Sequence, residues 1–301
     1  METLAGITLY EPDIDRLLEN IKAVLPQVDK IICVDNGSKN IEEVKRRVEE
    51  LENRVLAQRN DELEKFSHNK IEFIENGENL GIARALNQMF EYAEEKAYDW
   101  VLTLDQDSVC PANLMEEYRK YIDQIEHKGL KDVGVISPKL VDRNFEKNIQ
   151  TEMPYDYIDK CITSASLTSV ETWKKVGGFW EYLFIDFVDH DFCAKCQKQR
   201  IKIIRVNSVA LLHELGNGEH HTFLGRRVTA LNHSPFRKYY MVRNWLIYMH
   251  EHKDVIDYKK VRNSYRFFYL KTLLFEDEKL EKLKQMLKGR RDGKQFIKKF
   301  L

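Results

Sequence analysis

No apolar run in this sequence approaches the ~20 residues that a bilayer-spanning helix needs. The opening stretch METLAGITLYEPD lacks a basic region followed by an apolar segment and a small-residue cleavage site, so no secretory leader is expected. Cysteine is also scarce. Five residues, an odd number scattered over 301 positions, do not make a disulfide framework. Cys193 and Cys196 form a lone C-x-x-C, with no second pair for zinc and no redox setting. They read as helix-packing thiols, because a free cysteine usually behaves as a small buried hydrophobe. These absences predict a reducing, cytoplasmic location. Internal repeats and low-complexity linkers are absent too, and nothing points to a nucleic-acid partner.

What is present suits a globular protein. A 43% hydrophobic fraction can bury a substantial core, and 32% charged residues is ordinary for a soluble chain. The length allows one large domain, or one domain with a smaller appendage. The net charge of −1 hides an asymmetry: residues 253–301 hold 15 Lys and Arg against 7 Asp and Glu. A positive tail on a negative body suggests an anionic partner, such as the inner membrane face. The plainer alternative is a solvated basic helix surface.

Short runs rich in Ile and Val at Leu4–Tyr10, Lys30–Val34, Lys70–Glu75, Trp100–Leu104 and Val133–Ser137 read as strands covered on both faces. Between them, Asp13–Leu25, Leu80–Ala97 and Ala112–Glu126 carry apolar residues at helical spacing. This alternation predicts an α/β fold with a mostly parallel central sheet and helices on both faces. Ile41, Val44, Val48, Leu51 and Val55 mark a further amphipathic helix, continuing toward Phe66, that packs on its own body or on a second subunit. From residue 234 the pattern turns helical, aromatic and basic. The expected division is therefore a catalytic domain over 1–233 and a helical region over 234–301.

In such sheets ligands bind beyond the carboxyl ends of the strands. Asp35-Asn36-Gly37-Ser38 follows one strand, Asn76 and then Asn79-Leu80-Gly81 another, and Asp105-Gln106-Asp107-Ser108 a third. Each has a bland reading: a turn at Asp35, a helix cap at Asp107-Ser108. Together they converge on one sheet edge. Carboxylates there suit a hard divalent cation, which a diphosphate would need. Downstream, Asp186, Asp189 and Asp191 stand among aromatics, where one could act as a general base or all could be charges favouring a helix N-terminus. His213 closes the apolar run VALLH and could complete a metal site or be structural. Arg237, Arg243 and Asn244 lie in SPFRKYYMVRN, either as anion-binding groups or as helix-pairing ones.

The succession ITLYEP, VDNGS, NLGIARALN, LDQDS, GGFWEYLFIDFVDHDFC, HELG and HSPFRKYYMVRN, over roughly residues 4–250, resembles the family 2 inverting glycosyltransferases. Within them it is most similar to a bacterial rhamnosyltransferase-like branch that acts on cell-surface polysaccharides. The resemblance implies a GT-A fold with bound Mg2+ or Mn2+. It implies that Leu9, Tyr10 and Glu11 line the base pocket, and that Asp35 accepts a bond from a uracil or thymine imide, beside Asn36. Gly81 and Arg84 would lie near the nucleotide, and Asp105 on the ribose side and near the metal. Asp107 and His213 would ligate the ion. Asp189 matches the catalytic base, with Arg237, Arg243 and Asn244 on diphosphate or acceptor.

Val188 stands before Asp189 where many relatives carry Glu, which keeps Asp186 and Asp191 as rivals for the base. The implied donor is dTDP-L-rhamnose, with a UDP-hexose as alternative. The implied acceptor is a lipid-linked or growing glycan at the inner membrane face, where the protein would lie peripherally; apart from the resemblance, the Ile41–Val55 helix or the C-terminal helices are candidate surfaces for a homodimer. A sugar-nucleotide nucleotidyltransferase would carry a Gly-rich phosphate loop, which GITLYEP does not offer. A non-catalytic binding protein on the same fold would have no reason to keep these carboxylates together.

Overall fold

Strand and helix alternate through the first half, as the hydrophobic periods predict. The computed structural model describes residues 2–57, 70–127, 129–142, 153–213, 219–223 and 226–301. In chain order the elements are β1 (Thr3–Leu9), α1 (Ile14–Val24), β2 (Lys30–Asp35), α2 (Ile41–Ala57), β3 (Ile71–Glu75), α3 (Ile82–Glu95), β4 (Trp100–Asp105) and α4 (Leu114–Glu126). There follow β5 (Val133–Asp142), β6 (Tyr155–Ile158), β7 (Ser166–Ser169), α5 (Val170–Val176), a 3-10 turn at Glu181–Leu183, α6 (Val188–Lys198) and β8 (Lys202–His213). β9 (Glu219–Phe223) and β10 (Arg226–Ala230) precede α7 (Pro235–Glu251), α8 (Tyr258–Phe275) and α9 (Lys279–Phe300).

Eight strands form one sheet in the order β3-β2-β1-β4-β7-β5-β8-β6, and β9 pairs with β10 apart from it. β7 runs antiparallel to β4 and β5, and β6 antiparallel to β8. The remaining strands point one way, so their carboxyl ends share an edge. Successive strand side chains alternate between faces. Ala5, Ile7, Ile31, Cys33 and Leu102 therefore pack under α1, α2 and α4, while Leu4, Ile32, Val34 and Val101 pack under α3, α5 and α6. Each large aliphatic buried this way contributes roughly 1.5–3 kcal/mol.

The α2 stripe is spent on this body. Val44 and Val48 are buried, with Ile41, Leu51 and Val55 packed against the same core. The apolar face that could have paired subunits is thus covered by its own domain; the suggested continuation toward Phe66 lies outside the described residues. Cys193 and Cys196 are buried helix-packing thiols, as expected, and all five cysteines are free.

The C-terminal helices are bound closely to the body. Ser234 caps α7 by accepting from the Arg237 N–H, with Pro235 in the first turn where its missing donor costs nothing. Ile247 of α7 and Phe296 and Ile297 of α9 join the core beneath α3 and α6. α9 meets α7 through glycine: a Cβ on Gly289 would stand 2.3 Å from the Tyr239 carbonyl oxygen, and one on Gly293 3.0 Å from that of Arg243. Two glycines four apart clear one stripe of the helix for backbone approach.

Candidate active site

The register sets Leu9 beside Asp35, and Thr8 beside Asp105, on adjacent parallel strands. Past these ends the chain turns sharply. Asp35 is buried and its carboxylate accepts from the N–H groups of Gly37 (2.9 Å) and Ser38 (3.0 Å), so the turn reading is realised. Asn36 is buried as well: its Oδ1 accepts from Asn76 at 2.9 Å and its Nδ2 donates to the Gly81 carbonyl at 3.3 Å. Asn76 and Gln88 exchange side-chain hydrogen bonds of 2.7 and 3.0 Å, which ties the loop after β3 to α3.

Leu9 ends β1 fully buried, whereas Tyr10 is half exposed. The Gln106 side chain accepts from the Tyr10 N–H at 2.9 Å and donates back to its carbonyl at 3.3 Å. Glu11 takes a positive φ of 45°, donating its N–H to Ser38 Oγ at 2.8 Å. In the sequence Gln106 is only one member of the polar run Asp105–Ser108; its amide in fact splints the β1 loop to the β4 loop. Asp105 is half-buried at the end of β4, and Asp107 is exposed two residues on. Ser108 does not cap a helix. It is buried against Ser164 (2.6 Å), and Asn113 holds the cap position of α4.

No group of three or more His, Cys, Asp or Glu side chains among the described residues is gathered to hold a metal ion. Asp105 and Asp107 stay close along the chain as two hard oxygen donors. The backbone of His213 ends β8 beside Asp142, but the His213 side chain lies outside the described residues.

The loop entering α6 carries the strain of the site. Phe184, Asp186 and Phe187 have φ values of 64°, 63° and 66°, in the left-handed region that side-chain-bearing residues avoid. Such conformations persist only where their surroundings over-determine them, and here the surroundings are explicit. Asn244, fully buried on α7, donates from Nδ2 toward the carbonyls of Leu183 (2.8 Å), Ile185 (2.8 Å) and Asp186 (2.9 Å). Arg243 donates to the carbonyls of Tyr182 (2.6 Å) and Leu183 (3.1 Å), and through Nε to Asn244 Oδ1 (2.8 Å). Its guanidinium lies between the rings of Tyr182 and Tyr240, at 4.5 and 4.7 Å. The Phe184 carbonyl accepts from the Ile82 N–H at 2.8 Å, and Gly81 (φ 85°) leaves that loop room that a Cβ would fill.

The three candidate carboxylates now separate. Asp186 forms a two-pronged ion pair with Arg237, with contacts of 3.0–3.2 Å. Burial raises its pKa against the pull of that guanidinium. Asp191 is buried with His252 Nε2 at 2.8 Å and Lys195 Nζ at 2.9 Å, which joins α6 to the end of α7. Asp189, in the first turn of α6, accepts through Oδ1 from the His190 backbone N–H and meets the His190 ring, each at 2.8 Å. Burial works to raise the Asp189 carboxyl, but His190 brings it below the usual range. Asp189 also lines a small cavity with Thr103, Thr163, Cys161 and Phe192, on the side of the sheet next to β4.

Arg243, Asn244 and Arg84, expected near the donor or acceptor, have other partners in this structure, as Arg237 has in Asp186. Arg243 and Asn244 are buried and directed at loop carbonyls, because a strained loop exposes acceptors that only strong donors satisfy. Arg84 pairs with Glu91 (2.7 Å) and Glu181 (3.2 Å) on the outer face of α3. Asn87 had no assigned role. It is buried and holds Phe179 and Trp173 through three hydrogen bonds of 2.9–3.0 Å, and its Nδ2 donates to Glu181 at 2.9 Å. A buried asparagine within an otherwise apolar helix face was its signal.

A mostly parallel sheet with acidic loops along its carboxyl edge, helices on both faces and a capping helical region is a GT-A nucleotide-sugar fold. The same fold appears in TarS of S. aureus: its 1–349 crystal structure gives a TM-score of 0.58 at 14% identity, covering 97% of this chain and 81% of that one. A crystal structure of GalNAc-T7 with UDP, GalNAc and Mn2+ gives 0.55 at 12% identity, covering 88% and 54%. The model of glycosyl transferase family 2 matches residues 7–163, and the chain belongs to that family. It is also 25% identical over 260 residues to a dTDP-rhamnosyl transferase, RfbF, of Shigella flexneri, across 80% of this chain and 77% of the relative.

Proposed function

We propose that this glycosyltransferase moves L-rhamnose from its dTDP ester to a hydroxyl of a lipid-linked or growing glycan by single displacement with inversion. Asp189 takes the proton of the attacking hydroxyl. The observation that carries this choice is the engagement of its rivals, Asp186 with Arg237 and Asp191 with His252 and Lys195. A carboxyl held below its usual range is ionised at neutral pH, as a base must be. Both His190 contacts fall on Oδ1, and Oδ2 then receives the acceptor proton. Arg243 and Asn244 act as positioning residues, fixing the loop from which Asp189 begins α6.

Leu9, Tyr10, Glu11, Asp35 and Asn36 form the nucleotide end of the cleft, supported by the splint at Gln106. Asp105 and Asp107 fit a divalent cation by their chemistry, two carboxylates at one strand end. Such an ion neutralises a departing diphosphate. The relative named for dTDP-rhamnose supports the donor. A UDP-hexose is the second reading, favoured by the TarS complex with UDP-GlcNAc, whose fold this chain shares at TM-score 0.55.

A thermal-shift screen of nucleotide sugars with Mn2+ or Mg2+ tests the donor. A ligand at 100 times its Kd adds about 2.7 kcal/mol of apparent stability. dTDP-L-rhamnose should give the largest shift and release dTDP on turnover. A larger shift with UDP-glucose would replace rhamnose in this reading. For the ion, Asp107→Ala should remove the metal-dependent part of turnover; undiminished turnover in chelator would overturn the assignment.

A further inference from the structure

α8 is an amphipathic helix whose outer face is left uncovered. Tyr265, Phe268 and Thr272 turn inward onto α7. On the opposite side Phe267, Leu270, Leu273 and Leu274 are 40–43% exposed, an apolar patch over the last two turns. Lys259, Lys260 and Arg266 are exposed on the same side, nearer the start of the helix. No Asp or Glu occurs anywhere in Tyr258–Phe275. Beside the patch opens a groove of about 540 Å3 between β10, α7 and α8, lined by Val228, Trp245, Phe267, Phe268 and Lys271. Trp245 also packs against Phe187 of the loop entering α6, with ring centroids 5.3 Å apart.

A helix with aliphatic side chains and cations on one face, and no acid, matches the boundary of an anionic bilayer, where the apolar groups enter and the cations meet phosphates. A second copy matches it poorly. A two-fold contact through α8 would bring its Lys and Arg onto a partner helix that likewise carries no acid to pair with them. We infer that α8 is the surface by which the protein lies on an anionic lipid leaflet, with the mouth of the Trp245 groove turned toward that leaflet. This deepens the reading of a lipid-linked acceptor and rests on it only for its purpose, since lipid binding needs neither donor nor turnover.

Co-sedimentation of the full chain with vesicles tests this, using phosphatidylcholine alone and phosphatidylcholine mixed with phosphatidylglycerol. The chain should bind the mixed vesicles and release as salt screens the charges. Leu270→Glu with Leu274→Glu should weaken binding by more than ~tenfold, because each buried leucine contributes upward of ~1.5 kcal/mol. Replacing Lys259, Lys260 and Arg266 by glutamine should cost roughly fivefold per charge, and only on the anionic vesicles. Equal binding by parent and Leu270→Glu/Leu274→Glu, or no preference for the anionic vesicles, would overturn the inference. So would a dimer in light scattering that the leucine variant dissolves. Loss of vesicle binding with dTDP-rhamnose turnover on a soluble acceptor retained would leave the activity standing, so the two readings fail separately.

Discussion

Replacing Asn244 by alanine tests whether α7 holds the strained loop. Its Nδ2 approaches three carbonyls, those of Leu183, Ile185 and Asp186, at 2.8–2.9 Å. An amide nitrogen carries two hydrogens, so two of the three bonds can be well formed at once. Leu183 keeps a donor in Arg243, which leaves the carbonyls of Ile185 and Asp186 without one after truncation. Arg243 Nε loses its acceptor as well. Two neutral bonds at about 1 kcal/mol each, with a stranded buried guanidinium N–H at about 1–2, put the loss near 3–4 kcal/mol. That is a large part of the ~5–15 kcal/mol of a typical domain, yet short of abolishing folding. Urea unfolding followed by circular dichroism measures it. With the loop free to leave φ > 0, the Asp189 carboxylate shifts, and a displacement near 1 Å costs on the order of 100-fold in kcat. Asn244→Asp, nearly isosteric, turns an oxygen toward the three carbonyls and should be worse than alanine at neutral pH. Its deficit should shrink as pH falls and the carboxyl protonates to become a donor. A stability loss below about 1 kcal/mol, with kcat unchanged, would refute the clamp.

Asp189→Asn should lower kcat by at least ~1,000-fold with little change in unfolding midpoint, whereas Asp191→Asn should cost about 3 kcal/mol of stability by breaking its buried pairing with His252; steady-state kinetics beside urea melts separates the two, and the reverse pattern would exchange their roles. Gly289→Ala forces a Cβ to within 2.3 Å of the Tyr239 carbonyl oxygen, so α9 must shift, at about 1–3 kcal/mol in urea unfolding. Burial, helped by Arg237 and Lys238, holds the His233 ring at about 4, below the 6.5 of an exposed imidazole. The unfolded chain therefore takes that proton first, and the stabilising contribution is complete above ~6.5 and lost as pH falls toward 4. Compared with His233→Gln, the parent should lose roughly 1–2 kcal/mol more across that window, allowing for the partial exposure of the ring.

Local periodicity made the first half of the fold legible. β1 to β4, α1 and α3 begin and end within about two residues of where alternation and helical spacing end. The reversed β7, inserted between β4 and β5, was not legible. SLTS is four residues of mixed polarity whose pairing with Trp100–Thr103 is decided by distant partners. At the site, acidic strand ends could be read because turn chemistry and position coincide there. The choice among Asp186, Asp189 and Asp191 could not, since it depends on Arg237 and His252, which lie 51 and 61 residues along the chain from their partners. Arg243 and Asn244 were seen in the sequence as candidate anion contacts, because a buried donor and an exposed one are spelled alike. Only the positive-φ backbone of Phe184, Asp186 and Phe187, invisible in the letters, shows what they hold.

The dependence of that loop on α7 bears on how the chain can be cut or recombined. The family match ends at residue 163, and a truncation at 233 would keep every carboxylate discussed above. Such a fragment would still lack the two side chains that keep residues 182–186 in their costly shape. Exchange of C-terminal regions between relatives should succeed only when the FWEYLFID segment travels with its own RN pair. The two pieces, ~60 residues apart in sequence, amount to one inherited unit.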